Sequence, residues 1–300
     1  MARVLILMST YNGEKYIETQ IESLLKQKSV QLDILVRDDG SKDNTTAILD
    51  KYQQAGVLKW YTGENLRPAK SFLHLLYNCP GDYDYYAFCD QDDYWLPEKM
   101  ISAVNKMSDT SDIPAMYYCD LQIVDSSLEP IRKTSNFQKG ICIPQMLLAY
   151  CIPGCSMVMN RKLHDIIIKH LPDPDTVTMH DCWVYYICTY IGGRIIGDNN
   201  CLIQYRQHGK NAVGAVSISV KDKVKMIKGD GSAPRGHMIK QITELYHAEA
   251  DPENQKWFED YANYYKRLSC KMKFLFLRKT KYFKARPMLK AKLRVLMNSL

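Results

Sequence analysis

Asp90-Gln91-Asp92-Asp93 sets three carboxylates directly after the apolar run Tyr85-Tyr86-Ala87-Phe88-Cys89. The run reads as a buried strand. Ionised carboxylates are costly to desolvate, so the acids are expected to emerge at the strand's carboxyl end, where open α/β sheets bind their ligands. Asp-x-Asp offers hard oxygen donors suited to Mg²⁺ or Mn²⁺, ions that usually hold phosphates as well. Taken alone, the tetrapeptide also fits a solvated acidic loop ahead of a helix beginning near Pro97.

Three other polar segments have the same character: Ser9-Thr10-Tyr11-Asn12-Gly13, Val36-Arg37-Asp38-Asp39-Gly40-Ser41 and His180-Asp181-Cys182-Trp183. The elements that must position them follow from the hydrophobic pattern. Residues 4–9, 32–37, 58–61 and 85–89 read as strands, and 16–26, 44–53 and 69–77 as helices. This alternation predicts an α/β fold with a largely parallel sheet and helices on both faces. Asp38-Asp39 and the 90–93 acids follow the second and fourth strands, so they fall on one sheet edge. Further on, 116–124 and 156–160 read as strands, 144–150 as a short helix, 181–190 as a buried helix and 194–205 as extended chain. From about Ser217 the pattern is helical and basic. No internal repeat interrupts it. One globular domain, 1–215, with a helical extension, 216–300, fits best.

The chain of 300 residues is long enough for a substantial core, and its 46% apolar and 24% charged content is that of a soluble globular protein. Ten cysteines lack Cys-x-x-Cys pairs, which argues for buried thiols rather than a disulfide framework or zinc site. No secretory leader is expected. The longest apolar candidate, 146–159, is too short to span a bilayer and carries Pro153 and Gly154. The net charge of +7 is uneven: residues 261–300 hold twelve Lys or Arg and no Asp or Glu, so the first 260 sum to 7 − 12 = −5. A basic tail on an acidic body implies an anionic partner.

The four polar segments, in this order and at these spacings, resemble the family 2 glycosyltransferases, whose fold is the nucleotide-sugar-binding GT-A type. The likeness spans roughly residues 2–210. It implies that Asp92 ligates a Mg²⁺ or Mn²⁺ cofactor, that Asp90 contacts the ribose and the metal, and that Asp93 orients the others or caps a helix. Asp39, with Asp38 beside it, resembles the family's base-recognising acid; Asp-Gly-Ser is also good turn chemistry, and both readings can hold. Thr10 and Tyr11 would line the nucleotide pocket, although core packing also suits Tyr11. Asp181 resembles the catalytic base of an inverting transferase, which takes the acceptor's hydroxyl proton; helix capping is its bland alternative. The family's common pair is Glu-Asp, and His180-Asp181 followed by Trp183 is similar to rhamnosyltransferase-like members. Gly154, in Ile152-Pro153-Gly154-Cys155-Ser156, resembles the loop bordering the donor sugar, with Cys155 a small buried residue. In Tyr205-Arg206-Gln207-His208-Gly209-Lys210-Asn211, Arg206 would pair with phosphate and His208 would ligate the metal or contact the diphosphate.

The resemblance implies transfer of a sugar, best L-rhamnose from dTDP-rhamnose, to a saccharide or lipid-linked acceptor in bacterial surface polysaccharide synthesis. A UDP-hexose or UDP-N-acetylhexosamine donor is the nearest alternative, and a non-catalytic nucleotide-sugar-binding scaffold the alternative from another class. A nucleotidyltransferase would carry a Gly-rich phosphate loop with a Lys, which is missing after the first strand. Basic residues interleaved with Phe274, Phe276 and Phe283 suit nucleic acid or an anionic membrane. A sugar-transferase body favours the membrane. The expected location is therefore cytoplasmic, peripheral on the inner face of the cell membrane, with no nucleic-acid partner.

Overall fold

The computed structural model describes residues 1–134, 143–149, 152–208 and 234–277, with positions 289, 292, 293, 295 and 296. The expected alternation is present: β1 (Ala2–Thr10), α1 (Ile17–Leu25), β2 (Val30–Asp38), α2 (Thr45–Gln54), β3 (Lys59–Thr62), α3 (Arg67–Asn78) and β4 (Tyr85–Asp90). Then come β5 (Tyr94–Trp95), α4 (Lys99–Lys106), β6 (Ala115–Val124), β7 (Pro130–Lys133), α5 (Ile143–Ala149), β8 (Val158–Asn160), α6 (Arg161–Ile167), α7 (His180–Tyr190) and β9 (Arg194–Arg206). Helices Pro234–Leu245, Pro252–Ala262 and Leu268–Leu275 follow.

Among the described residues the strands form one sheet in the order β3-β2-β1-β4-β8-β6-β9-β5, with β7 beside β6. The first four strands run parallel. Beyond β4 the sheet is mixed: β8 is antiparallel to both neighbours, while β6 and β9 are parallel. Alternation along the strands divides the core. Leu5 and Leu7 of β1, with Tyr86 and Phe88 of β4, face α3, α7 and the C-terminal helices. Val4, Ile6 and Met8, with Ala87 and Cys89, face α1, α2 and α4. A strand buried on both faces must be apolar throughout, which is why β1 and β4 were so legible as unbroken runs.

The C-terminal helices contribute Met238, Ile242, Tyr246, Phe258, Tyr261 and Phe274 to the α3–α7 side of the core. The extension is thus packed into the body through one face. The boundary expected between 215 and 216 lies outside the described residues, as do Gly209 to Asn211 and Phe283.

Register sets the site. Ser9 pairs with Asp90, Thr10 with Asp38, and Asp38 with Thr62, so β1, β2, β3 and β4 end nearly level. Both acidic segments occupy that carboxyl edge.

Candidate active site

Asp38 ends β2 with its carboxylate turned into the following turn. It accepts hydrogen bonds from the backbone N–H groups of Gly40 (3.0 Å) and Ser41 (2.9 Å) and from the hydroxyls of Ser41 (2.5 Å) and Thr62 (3.3 Å). Asp39 is buried and ion-paired with Arg37, and its Oδ2 accepts the Leu66 N–H at 3.0 Å. Arg37 also donates to Ser71 Oγ and Glu64 O. Burial holds the Arg37 guanidinium below its ordinary pKa, against the pull of nearby anions. Thr10 is buried beside this pair and Tyr11 is exposed, so core packing does not account for Tyr11.

The acids after β4 behave differently. Asp90 is pushed up to about 7, first by burial, then by the charges of Asp92 and Asp181. Asp93 is raised well above the carboxylate range by burial and by the same neighbours, Asp92 and Asp90. The three do not all emerge from the protein as expected. Asp93 has no solvent exposure and caps no helix. Its burial is made tolerable by the raised pKa, which favours the uncharged acid, and by the Arg206 N–H donating to Oδ1 at 3.0 Å; its Oδ2 has no partner. Asp90, Asp93 and the buried Cys155 place potential ligand atoms within 4.8 Å of one another. Burial pushes the Cys155 thiol far up, so it is an S–H facing carboxyls and a poor ligand for a hard ion.

Arg206 and His208, delivered by β9 and its end, close the other side. His208 Nε2 lies 2.7 Å from Asp92 Oδ2. Arg206 donates from Nε to Asp92 O (2.8 Å) and from a terminal nitrogen to Ser126 O (2.6 Å). Tyr16 stacks on His208 with ring centroids 4.9 Å apart, and the Arg206 guanidinium lies 4.5 Å from the Tyr16 centroid. Carboxylate oxygens from Asp90 and Asp92, with the His208 imidazole 2.7 Å from Asp92 Oδ2, fit a Mg²⁺- or Mn²⁺-type ion. Asp92, Asp90 and His208 are the residues that would hold it.

Asp181 occupies the first turn of α7, whose N-cap is Met179 with no side-chain cap. Asp181 Oδ1 accepts the adjacent Cys182 N–H at 2.6 Å, so the carboxylate does not serve as the helix N-cap residue. Its effect on Asp90 puts it across the same site. His180 is buried between Phe72 (4.1 Å, stacked) and Phe88 (4.8 Å, edge-on), and burial lowers its pKa to about 4. Gly154 lies against this pair. A Cβ there would stand 3.3 Å from His180 Cε1 and 3.5 Å from Asp181 Cβ, closer still to His180 Nε2, which is why glycine is needed.

The sequence reading missed Gln91, Tyr16 and Tyr205. Gln91 accepts from Thr10 Oγ1 (2.5 Å) and Tyr11 N (3.0 Å) and donates to Tyr11 O (3.1 Å). Tyr205 is raised by burial and by Cys155, Asp90, Asp93 and Asp92, which keeps its phenol protonated next to the acids. Gln91 and Tyr205 lie inside recognised segments without a role of their own there; Tyr16 carries only the helical spacing of the run it begins.

A level strand edge with two acid segments, facing a carboxylate at the start of α7, defines a nucleotide-sugar transferase of the GT-A type. The sequence model for glycosyl transferase family 2 matches residues 5–167. The chain belongs to that family and is a glycosyltransferase. The dTDP-rhamnosyl transferase RfbG of Shigella flexneri is 28% identical over 264 residues, covering 81% of this chain and 85% of the relative. An uncharacterized glycosyltransferase of Nostoc sp. is 26% identical over 239 residues, covering 76% and 72%. Staphylococcus aureus TarS, residues 1–349, shares the fold with TM-score 0.60 at 15% identity, covering 99% of this chain and 80% of that one. The mannosyltransferase PcManGT of Pyrobaculum calidifontis, solved with GDP-Man and Mn²⁺, gives TM-score 0.56 at 13% identity, covering 99% and 86%.

Proposed function

We propose that the chain is an inverting, metal-dependent transferase that moves L-rhamnose from dTDP-L-rhamnose to a saccharide or lipid-linked saccharide during bacterial surface polysaccharide synthesis. The observation that carries the reading is convergence: Gly154 packs against Asp181 while its neighbour Cys155 lies among the Asp90 and Asp93 carboxyls, which supports one space shared by the acids after β4 and the start of α7. The likeness to a dTDP-rhamnosyl transferase supports the donor.

Thr10, Tyr11 and Asp39 border the nucleoside, with Asp38 holding the turn that presents Asp39. Asp90 meets the ribose. A divalent cation on Asp92, Asp90 and His208 supplies charge neutralisation at the leaving diphosphate. Arg206, stacked on Tyr16, adds fixed positive charge beside it. Gly154 lets its loop close on His180 and Asp181, beside the donor sugar. Asp181 takes the proton of the acceptor hydroxyl as that oxygen attacks the anomeric carbon, and an oxocarbenium-like transition state is expected by analogy with glycoside hydrolysis.

Among the described residues no helix is long and apolar enough to cross a membrane. The 216–300 extension is read as an attachment to the inner membrane surface. Phe274 and Val295 turn inward, whereas Leu268, Phe276, Leu289 and Leu296 are exposed among basic residues, which supports contact with an anionic lipid face.

A donor panel with Mn²⁺ or Mg²⁺ tests the reading. Transfer from dTDP-L-rhamnose should exceed that from UDP-glucose, UDP-galactose or UDP-N-acetylglucosamine. Asp181→Asn should lower turnover by roughly 10²–10⁴-fold and leave donor affinity nearly unchanged. A UDP-sugar as the efficient donor overturns the rhamnosyl assignment, and near-normal turnover in Asp181→Asn removes the base.

A further inference from the structure

The amide of Gln91 joins two loops that belong to different strands. The first follows β1 and carries Thr10 and Tyr11. The second follows β4 and carries Asp90, Asp92 and Gln91 itself. One side chain makes three hydrogen bonds across the gap, accepting from Thr10 Oγ1 and Tyr11 N and donating to Tyr11 O. Satisfying both the N–H and the C=O of Tyr11 with a single amide ties down the two peptide units that flank Tyr11. An ionised carboxylate, which only accepts, cannot reproduce this donor-and-acceptor pairing.

A second observation is independent of the hydrogen bonds. Gly13, three residues beyond Thr10, packs directly on the Gln91 amide. A Cβ at position 13 would lie 2.8 Å from Gln91 Cδ and 3.0 Å from Thr10 Oγ1, and closer than either to Gln91 Oε1. The glycine therefore leaves the space the amide occupies. The loop is also tied to the β2 side: Asn12 N donates to Ser41 Oγ, Gly13 N donates to Thr45 Oγ1, and Asp39 N donates to Thr10 O. Movement of the Asp90–Asp92 turn is thus passed through Gln91 to the loop bordering the nucleoside.

We infer that Gln91 is a positioning residue that couples divalent-cation binding to nucleotide binding. It does so by clamping the Thr10–Gly13 loop to the metal-bearing turn. The inference rests on the nucleotide and metal reading of this site. Gln91 touches no reacting atom in this account. It sets where two binding surfaces stand relative to each other, and coupling of this kind appears as a change in one ligand's affinity when the other is present.

The test measures dTDP affinity by calorimetry, with and without Mn²⁺, for wild type, Gln91→Met, Gly13→Ala and the double variant, alongside thermal unfolding of each protein. Wild type should bind dTDP more tightly with Mn²⁺. Gln91→Met keeps the volume and loses the hydrogen bonds, so its Mn²⁺ enhancement should shrink by about tenfold, equivalent to about 1.4 kcal/mol. Gly13→Ala should show the same loss, because its methyl displaces the amide. The double variant should be no worse than either single one, since both act on one clamp. Equal enhancement in wild type and folded Gln91→Met overturns the inference, as does strict additivity in the double variant. A fall in melting temperature with the enhancement intact would make Gln91 a structural residue only. Absence of any Mn²⁺ enhancement in wild type would instead break the metal reading on which the inference rests.

Discussion

Two acidic segments end neighbouring stretches of the same sheet edge, yet they are built in opposite ways. After β2, every carboxylate is supplied with partners. Asp38 is filled by two backbone N–H groups and two hydroxyls, and Asp39 by Arg37 and the Leu66 N–H. After β4, the carboxyls chiefly meet one another, Asp90 and Asp93 are raised, and Asp93 Oδ2 has no partner. The first segment is complete as folded protein. In the second, three carboxyls crowd together with the His208 imidazole on Asp92, a donor set that suits a cation. Acids at similar strand ends, two in one case and three in the other, thus differ according to what surrounds them.

The comparison is broken most directly by stability. Asp39→Ala would strand the buried Arg37 guanidinium and is expected to cost about 3–5 kcal/mol. Asp38→Ala removes hydrogen bonds to a charged acceptor and should cost about 2–3 kcal/mol. Asp92→Asn should change metal-free stability by less than about 1 kcal/mol, because relief of repulsion offsets the lost His208 contact. Urea unfolding of the three variants checks the order. An Asp92→Asn loss as large as that of Asp39→Ala would remove the distinction.

Ligand sharpens it from the other side. Mn²⁺ with dTDP, each at about one hundred times its dissociation constant, should stabilise wild type by about 2.7 kcal/mol or more. In Asp92→Asn the Mn²⁺-dependent part of that gain should vanish, as read by thermal shift. An undiminished gain would show that the cation sits elsewhere.

A further effect, read as a slope against pH, concerns His180, the neighbour of Asp181. Its pKa falls from 6.5 to about 4 through burial, so the unfolded chain binds the extra proton between those values. The stabilising contribution is full above pH 6.5 and is lost as pH falls toward 4, at about 1.4 kcal/mol per pH unit within that window. His180→Gln should flatten this part of the stability profile relative to wild type. Parallel profiles would mean that the imidazole titrates in the fold as it does in the unfolded chain.

The sequence made β1 and β4 legible because strands buried on both faces are apolar without interruption, and strand–helix alternation placed β2 and β3 beside them. β5 and β7 were invisible: two and four residues hold no period to read. The candidate site was legible as types and order, since Asp92, Asp39 and Asp181 stand in recognisable motifs. Their division of labour was not. The difference between Asp38 and Asp93 depends on Gly40 and Ser41 close by in one case and on Arg206, distant in the chain, in the other. Gln91 was hidden among stronger signals, because its role needs the Tyr11 peptide brought beside it. In the tail, Phe274 and Phe276 sit in similar basic surroundings, but one is buried and the other exposed. Only packing decides which face turns inward.

The central claim is that the acids after β4 hold a divalent cation together with the nucleotide. The most direct measurement is electron paramagnetic resonance of Mn²⁺ titrated with protein in the presence of dTDP, counting free aqueous Mn²⁺ by its signal. Wild type should remove close to one Mn²⁺ per chain. Asp92→Asn, shown to be folded by circular dichroism, should leave the free signal near that of dTDP alone. An equal loss of free Mn²⁺ in both proteins, or none in wild type, would contradict the account.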